Sequence, residues 1–226
     1  MRAGRKSRPF DMVMIKRFHI TLAFLHGTYY NVENERGGET MKAWQHFKTI
    51  TYHRWLVRQG CFQVGLYWRG LTHDLSKYTP TEFWVGAKYY QGNRSPNAAE
   101  REEKGYSEAW MHHKGRNKHH FEYWTDMNRQ TRRYESKPMP RTYLVEMVMD
   151  RRAACMVYEG GSYTDASAWR YFQRSPDKEM MHPDLVRELE YLLKMMMEKG
   201  EKETFCYIKE TVLTGKPFPW EETMEE

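Results

Sequence analysis

The sequence predicts an all-α domain gathered around a metal site, and three observations carry that expectation. Apolar residues recur at helical spacing over most of the chain, while the alternation expected of a half-buried strand is almost absent. Seven of the ten histidines fall between His46 and His120. Within that region His73 and Asp74 stand side by side, and an imidazole and a carboxylate together can ligate one Zn, Fe, Mn, Ni or Co ion.

A chain of 226 residues suits one domain with a substantial core, and its 15% aromatic content and 16 methionines imply a core of large side chains. No apolar run approaches 18 residues, so no membrane-spanning segment and no membrane partner are expected. Cys61, Cys155 and Cys206 are scattered and odd in number, which fits reduced thiols and a cytoplasmic location. None has the spacing of a structural zinc site. Of the +6 formal charge, residues 1–40 hold +3, from seven basic and four acidic side chains. The remaining +3 is too small to indicate a nucleic-acid partner by charge alone.

Residues 1–40 are expected to be an N-terminal extension separate from a domain over 41–226. Lys16 and Arg17 split its apolar stretch, which argues against a signal peptide. Two readings stay open. Arg36-Gly37-Gly38-Glu39 is what a purine-rich ribosome-binding sequence yields in translation, so the natural start could be Met41; alternatively the segment is a disordered basic arm. From Met41 a helix is predicted on Ala43, Trp44, Phe47, Ile50, Thr51, Trp55 and Val57. His46 and His53, seven apart, lie about 20° from each other around its axis. Gly60 is read as its end, and a second apolar segment over 61–71 leads into Leu-Thr-His-Asp-Leu-Ser-Lys, 71–77.

Thr79 as cap, Pro80 at the first helical position and Glu82 at the third predict a helix over 80–90. A long polar loop over 91–107 follows, a feature often tied to function. In 109–124 Gly115 breaks one helix and Asn117 caps another. Residues 128–140 read as a linker. A helix over 141–158 ends at Gly160-Gly161, Pro183 opens an amphipathic helix on Leu185, Leu189, Leu192, Leu193 and Met196, and a last helix covers 203–213. The Met195–Met197 run and the tryptophans are read as core.

The candidate ligands, in order, are His46 or His53, His73 with Asp74, His113, His119 with His120, and Asp150. Asp150 lies among apolar residues of its helix, where a lone carboxylate is costly unless paired or metal-bound. His112 is read as a supporting or surface residue. Lys77 follows His73 by one helical turn.

This order resembles the HD-domain superfamily of metal-dependent phosphohydrolases. His53 to Val57 is similar to the superfamily's His-x-x-x-Val, and the resemblance implies that Lys77, in the pattern His-Asp-x-x-Lys, faces the site. The segments GLTHDLSKYTPTEF and WMHHKGRNKHHFEYW resemble an uncharacterised bacterial and phage family, sometimes filed under a catalase label that no residue here supports. That likeness spans Met41 to about residue 175 and supplies no reaction. The His119-His120 pair is similar to two-metal members such as the HD-GYP phosphodiesterases, but the GYP signature is missing, which argues against cyclic-di-GMP as substrate.

The resemblance implies an HD-like bundle and a phosphohydrolase acting on a phosphate ester, a nucleotide above all, with one or two divalent ions. Asp74 would bridge the ions and Lys77 would stabilise phosphate charge. Lys114, Arg116, Asn117 and Lys118 are candidates for holding the phosphate ester, with Arg94 in the polar loop as a lid residue. A di-iron oxygenase and a non-catalytic, metal-dependent nucleotide-binding module are the alternatives.

Overall fold

The computed structural model describes the backbone of residues 35–222 and the side chains of 38–221, so most of the predicted N-terminal extension lies outside the described residues. The expected helical architecture is present. Its long elements are α1 (Glu35–Gln63), α6 (Arg141–Glu159) and α8 (Pro183–Tyr207). Between α1 and α6 lie the shorter α2 (Tyr67–Thr72), α3 (Pro80–Lys88), α4 (Pro96–Lys104) and α5 (Glu108–Lys114). After α6 come α7 (Ser167–Arg174) and, beyond α8, the short α9 (Pro219–Glu222). Helices α3, α4 and α5 pack together, and α6, α7 and α8 form a second group. Among the described residues no helix is long and apolar enough to cross a membrane.

The core lies against α6. Leu144, Val145, Val148, Met149 and Ala153 are wholly buried there, facing Leu189, Leu192, Leu193 and Met196 of α8, Phe172 of α7, and Val57 and Cys61 of α1. Helix α1 runs straight through Gly60, which the sequence marked as a break. The glycine is there for clearance, because a Cβ at that position would meet the Met149 sulfur at 2.6 Å. The chain turns only at Val64 to Leu66, where Gly65 takes φ +88°. The opposite face of α1 carries Trp44, Trp55 and Phe62 in the open, so its apolar residues encircle the helix instead of marking one stripe.

Other boundaries also differ from expectation. Residues 91–107 are not one loop: Pro96 at a first helical position starts α4, which Gly105 ends in the left-handed conformation. Residues 128–140 are not a plain linker: Thr125–Asn128 and Arg133–Ser136 form an antiparallel hairpin, with Asn128 opposite Arg133. Asn117 starts no helix; a 3-10 turn, Phe121–Trp124, takes that place. The last predicted helix is the continuation of α8 beyond a kink at Gly200 (φ +82°), closing in a π turn, Ile208–Val212. Pro80 does open α3, but the Thr79 hydroxyl donates back to the Ser76 carbonyl at 2.6 Å and does not cap the helix.

One packing contact positions α1 on α3. Gly86 is buried under the His46 imidazole, and a Cβ there would collide with the ring. Alanine in a helix gains about 1 kcal/mol over glycine, whereas overpacking costs about 1–3 kcal/mol. Gly86→Ala should therefore lower the melting temperature, and in a His46→Ala background the same change should raise it. Destabilisation in both backgrounds would show that the contact is not what excludes a side chain at position 86.

Candidate metal centre

The centre is built on a backbone reversal. His73 ends α2 in extended conformation (φ −48°, ψ 127°), and Asp74 takes the left-handed conformation (φ 51°, ψ 29°). A side chain other than glycine rarely adopts it, and Asp is among the most tolerant. Arg54 of α1 holds the end of α2 by donating from Nε to the His73 carbonyl (2.7 Å) and from Nη2 to that of Leu71 (3.1 Å). The reversal buries Asp74 completely. The 3-10 turn Leu75–Tyr78 then returns Lys77 so that its ammonium lies 2.7 Å from Asp74 Oδ2.

The two oxygens of Asp74 face different partners. Oδ1 is 3.2 Å from His113 Nε2 and 3.4 Å from His119 Nε2, both from the segment around α5. Oδ2 is 3.3 Å from His73 Nε2 and 3.8 Å from His53 Nε2. Asp150 of α6 completes this second half, with Oδ1 3.0 Å from His53 Nε2 and 3.4 Å from His73 Nε2. Ligand atoms of Asp74, His113, His119 and His120 all fall within 4.8 Å of one another, as do those of His53, His73, Asp74 and Asp150.

These spacings fit a cation. Ligands at about 2.1 Å from a metal are separated by about 3.0 Å along an octahedral edge and about 3.4 Å along a tetrahedral one. Both Asp74 oxygens and the Nε2 atoms of His73, His119 and His120 are buried without a hydrogen bond of sound geometry. Buried polar atoms are rarely left so, and each orphan destabilises the fold. The two oxygens of one carboxylate and three imidazole nitrogens beside it make a donor set suited to a divalent ion.

The far nitrogens are held as metal-binding histidines require. His73 Nδ1 is 2.9 Å and His119 Nδ1 3.3 Å from the same oxygen, Glu146 Oε1. His113 Nδ1 is 2.7 Å from Glu82 Oε2, and Glu82 Oε1 reaches His112 Nδ1 at 2.6 Å. A carboxylate accepts from Nδ1–H, which leaves Nε2 with its lone pair directed at the centre.

The electrostatics agree with a site short of positive charge. Burial opposes ionisation of Asp74, yet His73, Lys77 and His113 hold its carboxyl well below the usual range. Burial likewise opposes ionisation of Asp150, and His53 and His73 lower it by hydrogen bonding. Glu146, against the same opposition, is drawn to about 2 by His119 and His73. In the absence of metal, burial favours neutral His73 and His113, but Asp74 outweighs it and raises both. Burial keeps His120 neutral, reinforced by His119 and His113. Burial, together with Lys77, lowers His53.

The structure thus brings together His53, His73, Asp74, His113, His119, His120 and Asp150 as groups that could hold an ion, and of the two early histidines it is His53 that stands among them. His46 belongs to none of these clusters: its ring packs on Gly86, Phe83 and Tyr90, because it sits two turns before His53 on α1, level with α3. The amide nitrogen of Asn117 is engaged within the protein, donating to Ser76 Oγ and to the His113 carbonyl, both at 2.8 Å. Arg94 is closed on both oxygens of Glu102 and on Gln91, tying the loop to α4. Lys114 is half-buried, Arg116 and Lys118 are exposed, and Lys118 lies over the Tyr123 ring.

Sequence reasoning overlooked Arg54, Glu82 and Glu146. Glu146 had the same signal as Asp150: it lies one helical turn earlier on the same face of an apolar helix, as a carboxylate that needs a partner. Glu82 was masked by its ordinary role near a helix start.

A family model described as a family of unknown function, DUF5662, matches residues 42–195, a span that contains every residue of the centre. Nothing matches among curated proteins or among solved structures.

His46 gives the centre's surroundings a pH signature. Burial, with Lys77 adding to it, lowers its pKa from 6.5 to about 4. Between these values the unfolded chain binds more protons, so the stability present above pH 6.5 is lost as the pH falls toward 4. Metal-free protein should lose up to about 1.4 kcal/mol per pH unit in that window beyond what a His46→Gln variant loses, as read by urea unfolding. Parallel profiles for the two proteins would rule out a buried neutral His46.

Proposed function

The chain belongs to DUF5662, a family of unknown function, and we propose that it is a metal-dependent phosphohydrolase with a two-ion centre bridged by Asp74, acting on a phosphate ester, foremost a nucleotide. The observation that carries this reading is the division of the ligands between the two unsatisfied oxygens of Asp74. His53, His73 and Asp150 would hold one ion, and His113, His119 and His120 the other. With the bridge this is four protein ligands for each. A six-coordinate ion such as Mn, Fe, Co or Ni then keeps positions for water and substrate, whereas tetrahedral zinc would be closed.

Two such ions, when bound, lower the pKa of a coordinated water to about 7 and clamp phosphoryl oxygens. The chain's own residues supply the rest. Lys77 is half-exposed beside the centre, so its ammonium can turn from Asp74 toward an anionic substrate once Asp74 carries metal. Arg116 and Lys118 are exposed on the segment between His113 and His119, where they can meet further phosphate charge. The likeness to the HD-domain superfamily belongs to this reading; it is supported by the order of ligands along the chain and by their convergence within a mostly helical domain.

Elemental analysis of untagged protein and a phosphatase screen on nucleotides and simple phosphate esters test the reading. Asp74→Ala should lose most bound metal and all hydrolysis, and should melt earlier than the metal-loaded wild type. Lys77→Ala should retain its metal and lose turnover by about 10-fold or more. Full metal occupancy in Asp74→Ala would remove the bridge. Iron with an oxygen-dependent optical change, and no phosphatase activity on any ester, would favour an oxygenase instead.

A further inference from the structure

We propose that Glu146 is a positioning residue shared by both halves of the centre, orienting one histidine ligand of each ion through a single carboxylate oxygen. The inference rests on the two-ion reading and adds to it a coupling between the ions that does not pass through the bridge.

Glu146 Oε1 is within hydrogen-bond reach of His73 Nδ1 (2.9 Å), and His119 Nδ1 lies 3.3 Å from the same atom. The two imidazoles lie with their centroids 4.5 Å apart, and their far nitrogens face different oxygens of Asp74, His73 Nε2 toward Oδ2 and His119 Nε2 toward Oδ1. One anchored oxygen therefore fixes the tautomer and tilt of a ligand on each side. Glu146 is itself held. It is 4% exposed, and its Oε2 lies 4.0 Å from Arg69 Nη1, whose guanidinium sits 3.8 Å over the Tyr143 ring. Helix α6 thus presents Asp150 as a ligand and, one turn earlier, the carboxylate that aims two others.

Glu82 provides the contrast. Its Oε2 contacts His113, on the Oδ1 side alone, while its Oε1 turns away to His112. The two glutamates should therefore be distinguishable by how many ions they affect. Glu146→Gln keeps the shape, but an amide oxygen is a weaker acceptor and its NH2 cannot accept from Nδ1–H. Loss of such a supporting carboxylate typically weakens metal binding by about 10–100-fold.

Calorimetric titration with Mn and Co, alongside the Co absorption spectrum, provides the test. Wild type should bind two ions. Glu146→Gln should weaken both and shift both Co bands, and Glu82→Gln should weaken one and leave the other near wild type. Unfolding of the metal-free variants separates a general loss of stability from loss of ligand orientation. Nitrogen-15 spectra of the metal-loaded wild type should show His73 and His119 as Nδ1–H tautomers, a measurement independent of how either variant folds. Two ions in wild type with one or neither weakened by Glu146→Gln would overturn this inference and leave the proposed function standing, whereas Nε2–H tautomers at either histidine of the loaded protein would overturn both. A single ion in wild type would overturn both.

Discussion

The constraint on which the site depends is the carboxylate of Asp74, held in its charged form although it is wholly buried. Around it stand Glu82, Glu146 and Asp150, all drawn toward their charged forms, against Lys77 as the close cation. Such an excess of negative charge around a buried carboxylate is costly without compensation. In the metal-free chain the compensation is protons, which is why His73 and His113 hold theirs more tightly than an exposed histidine would. Those protons stand in for the charge a divalent ion would bring, so an ion binding at this cluster would expel them.

Holding that carboxylate in place requires unusual local structure. Asp74 adopts a backbone conformation that side chains other than glycine normally avoid, and strain of this kind persists only where its surroundings over-determine it. Here Arg54 grips the His73 and Leu71 carbonyls from α1, and Lys77 returns over the carboxylate from the next turn. The reversal consequently joins the sequence motif to the fold: the same few residues end α2, redirect the chain toward α3 and put Asp74 between ligands from α1, α5 and α6.

What could be read from the sequence follows from the kind of signal each residue leaves. His73, Asp74, Asp150 and the histidines after α5 were legible because imidazoles clustered along the chain and a carboxylate stood in an apolar helix. The boundaries of α6 were legible for a similar reason, with Pro140 before Arg141 and Gly160 after Glu159. Gly60 misled, since a glycine needed for contact with Met149 looks locally like a glycine that ends a helix. α1 misled further by carrying aromatics on both its faces. The choice between His46 and His53 could not be made from spacing, because both lie on one face of α1, and only the neighbouring elements differ: α3 at His46, α6 at His53. Tertiary partners, and not the local pattern, decided each of these cases.

The separation of the partners along the chain gives the centre a role in the fold beyond chemistry. His53 meets Asp150 across 97 residues, and His73 meets Glu146 across 73. Contacts of that range carry a large loop-closure cost, which a few hydrogen bonds worth about 1 kcal/mol each offset poorly. An ion that ligates α1, the turn after α2 and α6 at once acts as a cross-link between segments that the apolar core joins on one side only. The core holds α6, α7 and α8 together and takes in Val57 and Cys61 of α1; the charged cluster adds contacts from α1, the turn after α2 and the segment after α5 to α6. In such an arrangement an ion that bound would stabilise the packed domain, because its ligands come together only when the segments that carry them have met.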